Sequence, residues 1–581
     1  MPKKPNNTAK NSNNANKPNI TETFGSPKNS QKNKKLMNKK MLNGGFVLVL
    51  LLVISITAGV LIWYFSDTAD LTYIVDFNAA TFRVVQTGER TPDPTRPPNQ
   101  ITIGADGVTG NVNPMHAVTE ADVLAATIIF EPLAKVMPNG QIMPLLAETL
   151  DISADGLTYT FYLMDNVVFS DGTPLTAEII LQNYLMFSNI AVETAHTVYL
   201  SRLNGFNQFR MGLSDTISGI VPNGNSIAFT FDIPLNSNVS AFLVPISHNG
   251  LGTGAFFMEN FDAGGDTITL AANPNYHGGA PQLETIFIRS ANVASAPVLL
   301  EWGNIDLFWT DYNHTLLQQL LPFTNISIGI FSGNQQGYIG FNYNNPHLAN
   351  ANIRKALVLS ANAAAVTEQF FGEFAQAASH IVPPYFWLSG SPPLLPVFDP
   401  ARATELLQEE GFYLNNAGFF EQNGEQLTFT LYTINSEMAW NLTDAIAANW
   451  RELGINVIVQ ALSFTNLRNA IETGDFDMMY LTMRIDFNTD FTNFTNENVL
   501  INPFSWNNPQ AAQLATEINQ PNQQQAMQAF SDWQRIYHEN NVRLHLERPH
   551  RLVFFNPNLT GIFPYSYGNF TWNIHNWGVL Q

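Results

Sequence analysis

Between Leu157 and Leu163 the chain alternates, with Leu157, Tyr159, Phe161 and Leu163 on one face and Thr158, Thr160 and Tyr162 on the other. Period two over such a run predicts a strand with one buried face. Asp-Gly pairs at Asp155–Gly156 and Asp171–Gly172 bracket it with turn chemistry, and "VVFSDG" predicts a second short strand and turn. Thr176 then stands as a helix N-cap, with Glu178 in the first turn and Ile180, Tyr184 and Phe187 forming the apolar stripe.

The C-terminal half carries the longer pattern. "LTFTLYT", Leu427 to Thr433, alternates as a strand, and Ala439, Leu442, Ile446, Trp450 and Leu453 recur at helical spacing before Gly454. "INVIVQAL" predicts a second strand. Ser463 caps a short helix carrying Leu467, Ala470 and Ile471, Gly474 ends it, and "DFDMMYLTM" predicts a third strand. This β-α-β-α-β order implies parallel strands joined by right-handed crossovers. Ligands of open α/β sheets bind beyond the carboxyl ends of the strands. Here those ends are Thr433 to Glu437, Ser463 and Phe464, and Arg484 to Asp486.

Near the N-terminus the alternation gives way to "FVLVLLLVISITAGVLIWYF", Phe46 to Phe65, twenty residues without a charge. At about 1.5 Å per residue a helix of that length spans a bilayer core. Trp63 and Tyr64 close the run, and Lys32, Lys34, Lys35, Lys39 and Lys40 precede it, which orients the N-terminus to the cytoplasm and the body outside. The competing reading is a cleaved signal peptide; the run exceeds the usual apolar region of one, and "FSDTAD" is a poor cleavage site.

Composition narrows the classes. The 581 residues are 45% hydrophobic and 12% aromatic, enough for two or three cored domains. Residues 1–45 hold ten lysines against Glu22 alone, a disordered basic tail; the rest of the chain has a net charge of −29, which argues against nucleic acid as a partner. The absence of cysteine removes disulfides, thiolate metal sites and thiol nucleophiles. Residues 66–100, ending in "TGERTPDPTRPPNQ", read as a Pro-rich linker, with a short strand in "LTYIVDF".

Catalytic signatures are missing. There is no Gly-Lys dipeptide and hence no P-loop, no Gly-x-Ser-x-Gly elbow and no His-Glu-x-x-His helix. "GLGTGAF", Gly250 to Phe256, lacks the third glycine of a phosphate loop and reads as a tight turn into a strand. His545, Glu547 and His550 in "LHLERPHRL" come nearest to a metal cluster: His545 and Glu547 would share a strand face, while His550 lies beyond Pro549. Neither a metal nor a cofactor is expected.

"DGLTYTFYLMDNVVFSDGTPLTAE", Asp155 to Glu178, closely resembles the signature segment of the bacterial extracellular solute-binding proteins of family 5, the oligopeptide-, dipeptide- and nickel-binding receptors of ABC importers. The landmarks run in order through "VNPMHAVTEADVLAATIIFEPLAKVMPNGQIMPLLAETLDIS", "GTGAF", "NPNYHGGAPQLETIFIR", "EWGNIDLF", "GFNYNNPHLANANIRKALVLSANAAAV", "FDPARATELLQEEGF" and "TGDFDMMYLTM". Ile179 stands where this family's helix usually opens with an acid, and a lipobox cysteine is absent.

The resemblance implies an α/β, two-lobed, periplasmic-binding-protein-like fold of type II with an extra small domain, preceded by the transmembrane helix. Residues 101–337 would form the first lobe with the small domain, residues 338–548 the second lobe, and residues 549–581 the return to the first. It also implies no enzymatic activity. Asp486 would bind a peptide's α-ammonium, and the backbone of Met483, Arg484 and Ile485 would pair with the peptide as an added strand. Phe464 would line a pocket, Asn435 and Glu437 would belong to the loop after the first strand, and Asn113 and His116 to a first-lobe loop facing the cleft. Two readings stay open for Arg484, a peptide carboxylate or an acid across the cleft. For Asp486 the alternative is a surface or capping aspartate.

The expected partners are an oligopeptide, an ABC permease with separate ATPases, and the membrane, with the protein itself a monomer. Same-fold receptors for a sugar or a nickel chelate, a sensor or adhesin without a permease, and a hydrolase with paired carboxylates remain the rivals.

Overall fold

The computed structural model describes residues 82–89, 97–137, 141–192, 194, 196–383, 386, 388, 397–520, 522–564 and 570–580. The basic tail, the Phe46–Phe65 segment and the strand expected in "LTYIVDF" lie outside these residues. Among the described residues no helix is long and apolar enough to cross a membrane.

The signature strand forms as its alternation requires. Thr158–Leu163 is the second strand of a four-stranded antiparallel sheet, in the order Ala147–Ile152, Thr158–Leu163, Ser226–Thr230, Ile220–Asn223. Tyr159, Phe161 and Leu163 are buried, and Phe161 and Tyr159 pack on Phe242. Thr176 caps helix Ala177–Phe187 by accepting from the Ile179 amide. "VVFSDG" departs from expectation. It forms only an isolated bridge from Val168 to Pro174 around the Asp171–Gly172 turn, because Asp171 accepts from the Thr173 amide and closes the loop too tightly for a ladder.

A second, eight-stranded sheet runs in the order Arg83–Gln86, Ser327–Phe331, Arg551–Phe555, Leu307–Thr310, Gln100–Ala105, Thr285–Ser290, Thr267–Ala272, Phe256–Asp262. Its first strand lies within the stretch read as a linker. Arg83–Gln86 pairs antiparallel with Ser327–Phe331, and the Gly88 amide donates to Ser327. Four residues flanked by Pro-rich sequence carry too little periodicity to announce a strand. "GLGTGAF" does lead into a strand, and its glycines are steric. A Cβ on Gly252 would lie 1.9 Å from the Ile129 carbonyl oxygen at the end of helix Glu120–Ile129.

The β-α-β-α-β segment builds a five-stranded sheet in the order Asn456–Leu462, Thr428–Ile434, Met478–Arg484, Gln335–Phe341, Arg543–His545. The first three strands are parallel, as the topology demands. Helix Glu437–Leu453 buries Ala439, Leu442, Ile446 and Trp450, and the Trp450 indole donates to the Leu357 carbonyl. Ser463 caps helix Phe464–Thr473, and Gly454 and Gly474 end their helices at positive φ.

The chain passes between these two sheets twice. Ser332 to Asn334 carry it from one to the other, and Leu546 to His550 bring it back. The two passages touch: a Cβ on Gly333 would lie 2.1 Å from the Pro549 carbonyl oxygen.

Candidate functional site

Where the passages run side by side, a cavity of about 150 Å³ opens between the two sheets. Asp311, Gly333, Asn334, Pro549 and Arg551 line it from the eight-stranded sheet and the passages; Met438, Tyr480 and Thr482 line it from the five-stranded sheet. Thr482 stands near the carboxyl end of a strand, and Met438 in the first turn of the helix after Ile434. The cavity therefore lies at the strand ends that the topology singles out.

The strand Met478–Arg484 gives this place its chemistry. Along its whole length it pairs with Gln335–Phe341, but on its other side only Met478 and Met479 meet Thr428–Ile434. Among the described residues, the rest of that edge carries no ladder. Antiparallel pairing turns alternate residues to opposite sides. The Ile485 amide donates to the Asn334 carbonyl, so Ile485 and Met483 spend their backbone groups on the neighbouring strand. Thr482 and Arg484 present theirs to the open side. Of the expected Met483–Ile485 backbone site, only Arg484 faces the open edge, and Thr482 joins it.

Arg484 pairs with an acid of the other sheet. Its guanidinium pairs with Asp311, which follows strand Leu307–Thr310 of the other sheet, and Arg551 Nε lies 3.0 Å from the same carboxylate as a second ion-pair partner. Asp486 is exposed beyond the strand end. Its Oδ1 accepts from Asn334 Nδ2 at 2.6 Å, and its amide donates to Thr489 Oγ1 at 2.8 Å. Ile485 is buried in an apolar cluster with Phe386 and Phe491, and Met483 accepts from Arg543 through its sulfur.

Asn435 and Glu437 are exposed at the start of helix Glu437–Leu453, and the Asn435 amide ties to the Leu462 carbonyl. Phe464, 72% exposed, opens the next helix, so these three share the carboxyl edge of the parallel strands. Asn113 makes a local turn by accepting from the Met115 amide, and His116 is exposed beside it. Glu120, which follows, lies within electrostatic reach of Asp311 and Arg551. No direct contact joins Asn113 or His116 to Asp486 among the described residues.

Sequence reasoning read Glu547 only as a member of a possible metal group. It is 2% exposed, and its Oε1 accepts from the buried Tyr480 hydroxyl. It also departs from the expected shared face with His545. His545 Nδ1 meets Gln336, whereas the Glu547 carboxyl stands over Gly337, the next residue of the facing strand; a Cβ there would lie 1.9 Å from Oε1. Successive residues point to opposite faces, so the return strand turns over at Leu546. No cluster able to hold a metal exists among the described residues. Burial pushes the Glu547 carboxyl up to about 7 and holds His545 well below the usual imidazole range.

Two sheets joined by paired passages, with a cavity and an unpaired strand edge between them, are the architecture that structural comparison places among solute-binding proteins. The model of the bacterial extracellular solute-binding proteins, family 5 (middle), matches residues 141–499, and the chain belongs to that family. The nickel-binding periplasmic protein of Escherichia coli is 25% identical over 409 residues, 66% of this chain and 75% of its own. The periplasmic murein peptide-binding protein MppA of Escherichia coli is 23% identical over 411 residues, with the same coverage of 66% and 75%. The unliganded open form of MppA superposes with a TM-score of 0.72 at 18% identity, covering 87% of this chain and 99% of that structure.

Proposed function

We propose that this protein is the extracytoplasmic substrate-binding component of an ABC importer, binding oligopeptides between its two lobes and delivering them to a permease. The observation that carries the peptide reading is the open edge at Thr482 and Arg484. A peptide backbone adds to such an edge as a strand, which gives affinity independent of side-chain sequence. Asp486, exposed just past that edge, would take the peptide's α-ammonium. The relatives' names support the class, one being a peptide receptor and another a nickel receptor. Residues 46–65 would hold the protein in the membrane with the N-terminus in the cytoplasm.

The full chain, purified in mild detergent, is denatured and its released small molecules are identified by mass spectrometry. Trialanine is then titrated by calorimetry. Intact peptides in the release, with Asp486→Ala weakening trialanine roughly tenfold or more, are expected, because a charge-assisted bond contributes about 1.5–3 kcal/mol. A protein that releases a sugar or a nickel chelate and ignores peptides overturns the ligand assignment and leaves the family standing.

A further inference from the structure

Glu547 has no place in that reading, and its setting is unusual. Buried carboxylates are ordinarily paired with a cation. Among the described residues Glu547 forms no ion pair: Oε1 has only the Tyr480 hydroxyl, and Oε2 has no hydrogen-bond partner. Every nearby cation is engaged elsewhere. Arg548 is the next residue but points to the opposite face, donating to Gln336 and the His380 carbonyl. Arg551 and Arg484 both hold Asp311. The carboxyl sits against Gly337, where any side chain would collide with it, and lines the cavity beside Thr482. The body of the chain, at −29, draws cations toward such a cleft.

We infer that Glu547 is a second ligand-binding carboxylate, which accepts a cationic side chain of the bound peptide, so that the site favours lysine- or arginine-containing peptides. The inference rests on the peptide reading above. An ammonium or guanidinium entering the cavity supplies the ion pair that the fold withholds, and Tyr480 keeps the acceptor oriented. The titratable and charged groups facing the cavity beside Glu547 are Tyr480, Tyr312, Asp311 and Arg551. Near neutral pH the carboxyl retains a proton for part of the time; a cation displaces it to the buffer, so binding releases protons.

The test uses the full chain in detergent and four probes: Ala-Lys-Ala, its ε-acetyl form, trialanine and N-acetyl-trialanine. The wild type is expected to bind Ala-Lys-Ala at least tenfold more tightly than the ε-acetyl form. Its binding heats at pH 7 should also differ between phosphate and Tris as proton release requires. Glu547→Gln keeps the acceptor for Tyr480 and should abolish both the preference and the buffer dependence while binding trialanine normally. If that variant still prefers Ala-Lys-Ala tenfold, the inference is overturned and the peptide reading survives. If Glu547→Gln loses trialanine but not the lysine preference, and the N-acetyl form is as weak in wild type, Glu547 serves the α-ammonium and the side-chain inference fails. If none of the four probes binds, the peptide reading fails, and the inference with it.

Discussion

Glu547 and Gly337 show how much one residue depends on another several elements away. The carboxyl fits only because position 337 has no side chain. Its folded pKa, raised from 4.5 to about 7, means that the folded state holds a proton the unfolded chain has released. The associated stability is present below about pH 4.5 and is lost as pH rises through 7. Glu547→Gln should therefore be more stable than wild type at pH 8, by roughly 2–4 kcal/mol relative to their difference at pH 4.5. Urea melts of both proteins at the two pH values measure this directly, and parallel pH profiles would contradict it. None of it was legible in the sequence. "LHLERPHRL" drew notice as a possible metal group, but neither the turn-over at Leu546 nor the notch at Gly337 leaves a local signal.

At the scale of elements the sequence was far more readable. The parallel strands and the two helices between them follow from short-range spacing, capping serines and terminal glycines, all of which are local. Gly454 makes the point quantitatively: its φ is 108°, and a Cβ there would lie 2.7 Å from the Gly418 carbonyl oxygen. Gly454→Ala should cost about 2 kcal/mol through backbone strain and that contact. Trp450→Ala, which removes a fully buried indole and its bond to Leu357, should cost about 3–5 kcal/mol. Chemical denaturation of each variant checks both values. The elements that escaped notice are those whose pairing is remote. Arg83–Gln86 becomes a strand because Ser327–Phe331 is there to pair with it, and N-terminally shortened versions of the protein should begin before Phe82.

At the scale of the whole molecule, the site is assembled from chain segments far apart in sequence. Asp311 joins Arg551 of one sheet to Arg484 of the other. That pair is half-exposed, so it should contribute no more than about 1 kcal/mol. Asp311→Asn is expected to change peptide affinity less than about fivefold, an effect that fades with added salt; a hundredfold loss in calorimetry would show that the bridge governs closure. Family membership was legible as a whole because its landmarks occur in order along the chain. The cavity's lining was not, since Asn334, Asp311 and Arg551 meet only after the chain has crossed between sheets.

The central claim is that a peptide adds as a strand to the open edge of Met478–Arg484. Amide hydrogen exchange with residue resolution, in the absence and presence of saturating Ala-Lys-Ala, tests it most directly. The amides of Thr482 and Arg484 should become strongly protected, while those of Met483 and Ile485, already bonded to the neighbouring strand, change little. Saturable binding that leaves Thr482 and Arg484 exchanging at their free rates would contradict the account.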